Sequence, residues 1–306
     1  VVFVTVLIRS NKPQGQTVAD IKNREDLKKW LEGKPREVCV AIAARAALRV
    51  LPLLEAVVTS KDGRKNARAI VLPVFRATAT SRVAAKSPTR EVQIASSYAS
   101  DMAILIAKDS NNLVVRSASE AAFQAAFAGG EARPLSAIQA PNFSAIAASR
   151  SDATNEPAIW REVERDCALV ERGAASADLI DTKLWHVVRG PKWVDARWGD
   201  LKNKLLALNE DWDVWTDWYE RVLEGGPVNE ALEIARVTEI TEEKWEQGPA
   251  VVNKKLKEIE ARFAGSKPDD HTVRSFILKI LDSKTNPQSV EEIVQEFDAA
   301  GFDTPR

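Results

Sequence analysis

The chain has 306 residues, with 43 Lys and Arg against 44 Asp and Glu, and 45% of its residues are hydrophobic. This composition excludes an intrinsically disordered chain, a collagen-like chain and a disulfide-rich scaffold, and it can support more than one domain. The net charge of the whole chain is close to zero, but the two halves carry opposite net charges. Residues 1–150 hold 22 basic and 12 acidic residues, a balance of +10, whereas residues 151–306 hold 21 and 32, a balance of −11. The two halves can therefore attract each other or face different partners.

The first eight residues, VVFVTVLI, are rich in β-branched side chains and are followed by polar residues. This pattern predicts a short buried β-strand, and we assign residues 1–20 to the strand and a linker. The run is too short to span a membrane, and it lacks the basic flank and cleavage site of a signal peptide. We therefore expect a cytoplasmic protein without a membrane partner.

Residues 21–150 are predicted to form an alanine-rich, basic helical domain. Asn23 precedes acidic residues and an apolar face, which indicates a capped helix that Gly33 ends. Pro35 then opens a long helix over residues 36–58, because a proline at the first helical position loses no hydrogen bond there. Pro52 lies inside that run and should split or kink it near Val50.

Residues 151–265 are predicted to form a second, acidic helical domain that is rich in tryptophan. Its clearest element begins near Asp211, where Trp212, Trp215 and Trp218 share one apolar face and acidic side chains occupy the other. A tryptophan stripe of this kind can stack against a ligand, but its place on the apolar face favours the core. Further helices are expected over residues 228–237, 241–245 and 250–263.

Residues 266–306 are predicted to contain two helices, and a Ser289–Glu292 capping box begins the second one. Gly301 ends that helix, and Asp303 to Pro305 has the pattern of a new helix start. This region is a C-terminal helical hairpin, or alternatively a truncated winged helix-turn-helix. The predicted fold class is therefore mainly α, a multi-helix bundle or array with one short N-terminal β-strand.

Two segments resemble a known group. They are NEDWDVWTDWYERVLEGGPVNEALEIARV followed by WEQGPAVVN, and the earlier run KPREVCVAIAARAALRVLPLL. Both are similar to segments of an uncharacterised helical family of large bacterial proteins. The resemblance implies a bacterial, cytoplasmic, multi-domain helical protein. The family has no known activity, so the resemblance supplies no catalytic residue.

A search for catalytic chemistry gives mostly negative results. The sequence has no glycine-rich phosphate loop, no nucleophile elbow and no metal-binding motif, so we predict no catalytic residue, metal or cofactor. Cys39 and Cys167 have apolar neighbours and are expected to be buried; a disulfide between them stays open. His186 is the one histidine considered for a carboxylate-assisted hydrolase site, and we expect it to be a structural or surface residue instead.

The strongest functional signal is a basic run with a single acid, Asp62. Such a run can neutralise nucleic-acid phosphates, or it can face solvent or the acidic half. Arg45 and Arg49 are different, because they lie one turn apart in an apolar helix and must find carboxylates or carbonyls if they are buried. Trp193 and Trp198 lie near glycines, outside a regular stripe, and are candidate exposed aromatics. The basic run comprises Lys61, Arg64, Lys65, Arg68, Arg76, Arg82, Lys86 and Arg90.

These observations favour a non-catalytic helical interaction module of a larger bacterial protein, which binds a protein partner or itself. The first alternative is a nucleic-acid-binding protein that uses residues 61–90, the C-terminal helices, or both. The second alternative is a hydrolase-type enzyme built on carboxylates and His186.

Overall fold

The computed structural model describes residues 20–130, 134–186, 190–226 and 229–264. Within these ranges, many helices begin and end at the residues that helix start and stop signals predict. Over these ranges the secondary structure is helical and contains no strand, which confirms the mainly α fold class. The predicted strand at residues 1–8 and the predicted hairpin at residues 266–306 lie outside the described residues.

The first half of the chain contains eight α-helices and two short irregular helices within the described ranges. Pro52 has the predicted effect, because α2 ends at Arg49 and a 3₁₀-helix follows over Leu51–Leu54. The α-helices are α1 (Arg24–Leu31), α2 (Arg36–Arg49), α3 (Glu55–Val58), α4 (Gly63–Asn66), α5 (Leu72–Lys86), α6 (Arg90–Asp109), α7 (Leu113–Gly130) and α8 (Pro134–Ser151), with a π-helical turn at Ala67–Val71.

The second half begins with a 3₁₀-helix at Ala153–Asn155 and contains shorter helices. The element that the tryptophan stripe predicts is present as α12, which stops at Gly225. The α-helices are α9 (Glu156–Glu171), α10 (Ser176–Asp181), α11 (Lys192–Leu206), α12 (Asp213–Glu224), α13 (Glu230–Thr238), α14 (Glu242–Gln247) and α15 (Pro249–Phe263).

Helices α2, α5, α6, α7 and α8 pack against one another and form a bundle. Alanine and glycine let their backbones come close. A Cβ atom added to Gly129 of α7 would lie 2.8 Å from Cβ of Ala84 in α5. The high helix propensity of alanine and its small side chain thus serve both the formation of these helices and their close contact.

The hydrophobic core is continuous from the alanine-rich bundle into the tryptophan-rich half. Phe75 of α5 provides much of this continuity, because its ring centroid lies 6.5, 5.3 and 6.2 Å from those of Trp212, Trp215 and Trp218. All three indoles are at most 2% exposed. The tryptophan stripe is therefore part of the core, as its helical spacing predicts.

Candidate functional site

The eight basic residues singled out between positions 61 and 90 do not form one surface. Arg76 and Arg82 are 3% and 1% exposed, and the side chain of Lys86 is buried as well. Each of these three is paired with acidic groups of the second half of the chain. Arg90 lies apart from them, exposed at the start of α6.

The buried members hold the two halves together. Arg76 donates to both carboxylate oxygens of Glu242 and stacks over the Trp245 ring, 4.5 Å from its centroid. Arg82 donates from Nε to Glu233 Oε2 at 2.8 Å and from Nη2 to Asp181 Oδ1 at 2.6 Å. These side chains were candidates for nucleic-acid contacts or for contacts with the acidic half, and the structure places them inside the protein, where the acidic helices dock on α5.

Arg45 and Arg49 have the partners that their burial requires. Both donate to Oδ2 of Asp166 in α9, at 3.0 and 2.7 Å. The remaining Arg45 donors reach three backbone carbonyls, those of Leu179, Thr182 and Lys183, at 2.8–2.9 Å. The prediction of carboxylate and carbonyl partners is confirmed. These arginines therefore fix the segment that follows α10 onto α2.

The remaining basic residues line a pocket of about 540 Å³. Lys61, Lys65 and Arg68 are exposed along one side of it. The opposite side is formed by residues of the acidic half, among them Glu210 and Gln247. Arg64 also lines the pocket.

Two of the four cations in this pocket are already held by the protein. Arg64 donates to Glu210 and to the Leu208 carbonyl, and Arg68 donates to the Glu246 carbonyl at 2.9 Å. Lys61 and Lys65 have no ion pair within the described part of the chain. A phosphate that enters the pocket would therefore meet these two lysines, together with the exposed carboxylate of Asp62.

A π-helical turn positions Arg68 in this pocket. The amide of Leu72 donates to the carbonyl of Ala67, five residues back, and Pro73 has no N–H with which to continue the preceding helix. Turns of this kind are frequent at functional sites. On the opposite side Gly248 has φ +90°, and a Cβ atom there would lie 2.9 Å from Nε of Arg68. No sequence signal predicted this close approach.

The two candidate exposed aromatics are not exposed. Trp198 is 5% exposed, donates to Glu220 and packs on Tyr219 with 4.4 Å between ring centroids. Trp193 is half-buried and meets Trp185 edge to face at 6.2 Å. The prediction of exposure was wrong because both residues lie in α11 and pack against the core, whereas the nearby glycines had indicated a loop.

His186 contacts one carboxylate. Its Nδ1 pairs with Glu162, whose Oε2 also accepts the His186 backbone N–H at 3.3 Å. Burial raises the pKa of Glu162, while the imidazole is 48% exposed. Within the described ranges no group of three or more His, Cys, Asp or Glu side chains is arranged to hold a metal. Cys39 and Cys167 are buried and free.

A further surface was missed by the sequence reasoning. Ile94, Tyr98, Met102 and Leu105 lie on α6 and are 49, 49, 41 and 53% exposed. Their spacing of four, four and three residues is that of one helix face. The signal was present in the sequence, but the same spacing is typical of a core-facing stripe.

Comparison of the chain with protein-family models, with curated proteins and with solved structures found no match. The resemblance to a bacterial helical family therefore stays a prediction from the two quoted segments. In the part of the chain that the structure covers, none of the helices has the length and apolar character needed to cross a membrane.

Proposed function

We propose that this chain is a non-catalytic helical interaction module that associates with a second copy of itself through α6. The observation that supports this proposal is the exposed stripe of Ile94, Tyr98, Met102 and Leu105. At 100° per residue the four side chains fall within an arc of about 80°. A contiguous apolar face on an otherwise polar surface is typical of a protein-binding site.

The charges along α6 favour a second copy in antiparallel orientation. If α6 is aligned with a reversed copy of itself, Ile94 lies opposite Leu105 and Glu91 lies opposite Lys108. The same register places Tyr98 opposite Asp101, whose carboxylate can accept the phenol O–H. Glu91, Asp101 and Lys108 are all exposed. In a two-fold symmetric dimer every such pair occurs twice, because both copies use the same surface. A single α6–α6 contact therefore gives a closed dimer.

A parallel arrangement lacks this complementarity. In that orientation Glu91 would face Glu91 and Lys108 would face Lys108 of the second copy, because equal positions meet across a parallel seam. Like charges placed opposite each other are unfavourable. The antiparallel register is therefore the one that the sequence of α6 supports.

Analytical ultracentrifugation of the full chain over a concentration series tests the proposal. We expect a concentration-dependent dimer that Leu105→Glu converts to a monomer. Leu206→Glu is the matched control, because Leu206 is also an exposed leucine, 38% accessible, but lies on α11. A wild-type chain that stays monomeric at every concentration would refute self-association.

A charge exchange tests the orientation. Glu91→Lys alone places two lysines opposite each other and should weaken the dimer, as should Lys108→Glu alone. The double variant with both changes restores the opposite charges and should recover wild-type association. Failure of the double variant to recover would exclude the antiparallel register.

Nucleic-acid binding is a second candidate, and the observation that favours it is the pair of exposed lysines, Lys61 and Lys65, at the 540 Å³ pocket. A mobility shift over a salt series measures it, because binding through phosphates weakens steeply with salt. Lys61→Glu with Lys65→Glu should abolish the shift. Lys204→Glu with Lys254→Glu, two exposed lysines on other helices, is the control. Absence of a shift at low salt would remove this candidate.

A further inference from the structure

We propose that a groove beside the α1–α2 turn binds an anionic amphiphile, a medium-chain fatty carboxylate. The groove is bounded by α1, the start of α2, the end of α7 and the start of α8, and its volume is about 520 Å³. Sites for small organic ligands occupy roughly 300–1,000 Å³ and are mostly apolar with a few polar groups. The groove is separate from the α6 stripe and from the basic pocket of Lys61 and Lys65.

The lining is mainly apolar. Leu31 comes from α1, Val40 from α2, and Ala137 and Ile138 from α8. These four side chains are at most 5% exposed, so they form a firm floor. Leu135 stands at the edge with 57% of its surface accessible. A flexible alkyl chain laid along this floor and against Leu135 would cover the exposed surface of Leu135, and removal of apolar surface from water is favourable.

Three cations stand around this apolar floor. Lys28, Lys34 and Arg36 line the groove, and Glu32 is the one carboxylate among the lining residues. Gly33, with φ +76°, makes the tight turn that brings Lys34 and Arg36 to the groove. The lining therefore carries more positive than negative charge.

Among the described residues, these three cations have no carboxylate partner of the kind that other basic side chains have. Arg45, Arg49 and Arg82 each contact an acidic group. In contrast, Lys34 lies over the Trp30 ring, 4.5 Å from its centroid, and Arg36 donates to the Gly129 carbonyl.

The Nε–H of Arg36 is buried and has no hydrogen-bond partner within the part of the chain that the structure describes. Lys28 has no ion pair within the described ranges. A cationic rim beside an apolar floor is complementary to a carboxylate that carries an alkyl chain, since both parts of such a ligand find a matching surface.

Calorimetric titration of the full chain with decanoate, below its micelle concentration, tests this proposal. We expect saturable binding of one decanoate per chain. Decyltrimethylammonium has an alkyl chain of the same length and the opposite head charge, so it should bind about tenfold more weakly or worse. Equal affinities for the two compounds would overturn the role of the cations.

A pair of variants locates the site. Lys28→Glu with Lys34→Glu should weaken decanoate binding by about tenfold or more. Lys61→Glu with Lys65→Glu makes the same change of net charge at the other pocket and should leave decanoate binding unchanged. An equal loss in both variants would show a nonspecific effect of charge and overturn the proposal. Absence of saturable binding to the wild-type chain would do so as well.

Cys39 supplies a second readout within the groove. It is one of the lining residues and is 7% exposed, whereas Cys167 is fully buried in the core. Bound decanoate should slow the reaction of Cys39 with a thiol reagent, measured by peptide mass spectrometry, and this protection should be lost in the Lys28→Glu, Lys34→Glu variant. Decanoate binding that leaves the Cys39 rate unchanged would place the ligand elsewhere and refute the site.

Discussion

At the scale of single residues, the main feature of this protein is a set of charged side chains that are buried and paired with one another. Burial of an ion is costly unless partners satisfy it, and removal of one partner leaves the other uncompensated. Glu233 lies between the two halves, accepts from Arg82 and from the Trp218 indole, and is 3% exposed. Burial by itself would raise the pKa of Glu233, but Arg82 and Lys86 outweigh burial and lower the pKa below its ordinary value.

Glu233→Gln should lower the free energy of unfolding by about 3–5 kcal/mol at pH 7, because Arg82 loses one of its charged partners. The folded-state pKa is the lower one, so the contribution of Glu233 is complete above the ordinary glutamate pKa and is lost as pH falls through the folded-state pKa. Urea unfolding of both proteins at pH 7 and at acidic pH measures this. If the difference in the free energy of unfolding between the wild type and Glu233→Gln grows on acidification, the lowered pKa of Glu233 is contradicted.

Gly225 combines a positive φ with a close approach to another backbone segment. It has φ +67°, and a Cβ atom there would lie 2.5 Å from the backbone nitrogen of Lys183. The neighbouring Gly226 donates its N–H to the Asp181 carbonyl at 2.9 Å. The end of α12 and the segment after α10 therefore touch through their backbones.

Gly225→Ala should destabilise the fold by about 3 kcal/mol, because it adds a steric clash to an unfavourable φ. Gly33→Ala is the control, since Gly33 also has positive φ but has no atom within 4 Å of the added Cβ. That control should lose only about 1 kcal/mol. Thermal or urea unfolding compares them, and equal losses would show that the contact with Lys183 has no energetic role.

At the scale of elements, α12 shows how one helix meets several chemical requirements. Together with Trp212 at its N-cap, its apolar face buries three indoles and Tyr219, whose O–H donates to the Leu48 carbonyl of α2 at 2.9 Å. The indole of Trp218 donates to Glu233 at 2.8 Å, while that of Trp212 donates to Glu210 at 3.4 Å. The two tryptophans are buried to a similar extent, but the hydrogen bond of Trp218 is much shorter than that of Trp212.

Trp218→Phe should therefore destabilise the protein by about 2 kcal/mol more than Trp212→Phe. Both changes remove a similar volume, but only the first takes a short hydrogen bond from a buried carboxylate. Equilibrium unfolding of the two variants gives the difference directly. A larger loss for Trp212→Phe would mean that ring packing on Phe75 outweighs the hydrogen bond.

Helix α6 illustrates an ambiguity of amphipathic patterns. Periodicity reports that a face is apolar, but it does not report whether that face meets the core or another molecule. In α6 the buried side is built from small residues such as Ala99 and Ala103, and the large side chains Tyr98 and Met102 point outwards. Only the packing of α6 on α7 and α5 reveals this arrangement.

At the scale of the whole molecule, several of the opposite charges of the two halves pair with one another. Arg49–Asp166, Arg76–Glu242 and Arg82–Asp181 all cross the composition boundary near residue 151. The pairs Arg49–Asp166 and Arg82–Asp181 are buried on both sides, and salt screens buried charges much less than exposed ones. The contribution of these two pairs should therefore depend only weakly on ionic strength.

Residues 151–264 expressed alone should not unfold cooperatively, because Asp166, Asp181 and Glu233 would lose the arginines that neutralise them. The indoles would also lose Phe75 as a packing partner. Near-ultraviolet circular dichroism and thermal unfolding of this fragment, compared with the full chain, measure the effect. A cooperative transition with the tryptophan spectrum of the full chain would show that the acidic half folds independently.

The sequence by itself determined the helical fold class, the ends of α1 at Asn23 and Gly33, the break at Pro52 and the burial of the tryptophan stripe. These features depend on contacts within a few residues of the chain or on periodicity along one element. It also showed that Arg45 and Arg49 must have partners if they are buried, since an isolated buried charge is too costly.

Only the tertiary structure decided which side chains those partners are and which cations remain free. The basic run contains both buried arginines such as Arg82 and exposed lysines such as Lys61, although local sequence does not distinguish them. The difference arises because acidic helices more than 80 residues away in sequence dock on α5 and leave the pocket and the α1–α2 groove uncovered. Complementarity between distant segments is a property of the folded chain, and no local pattern records it.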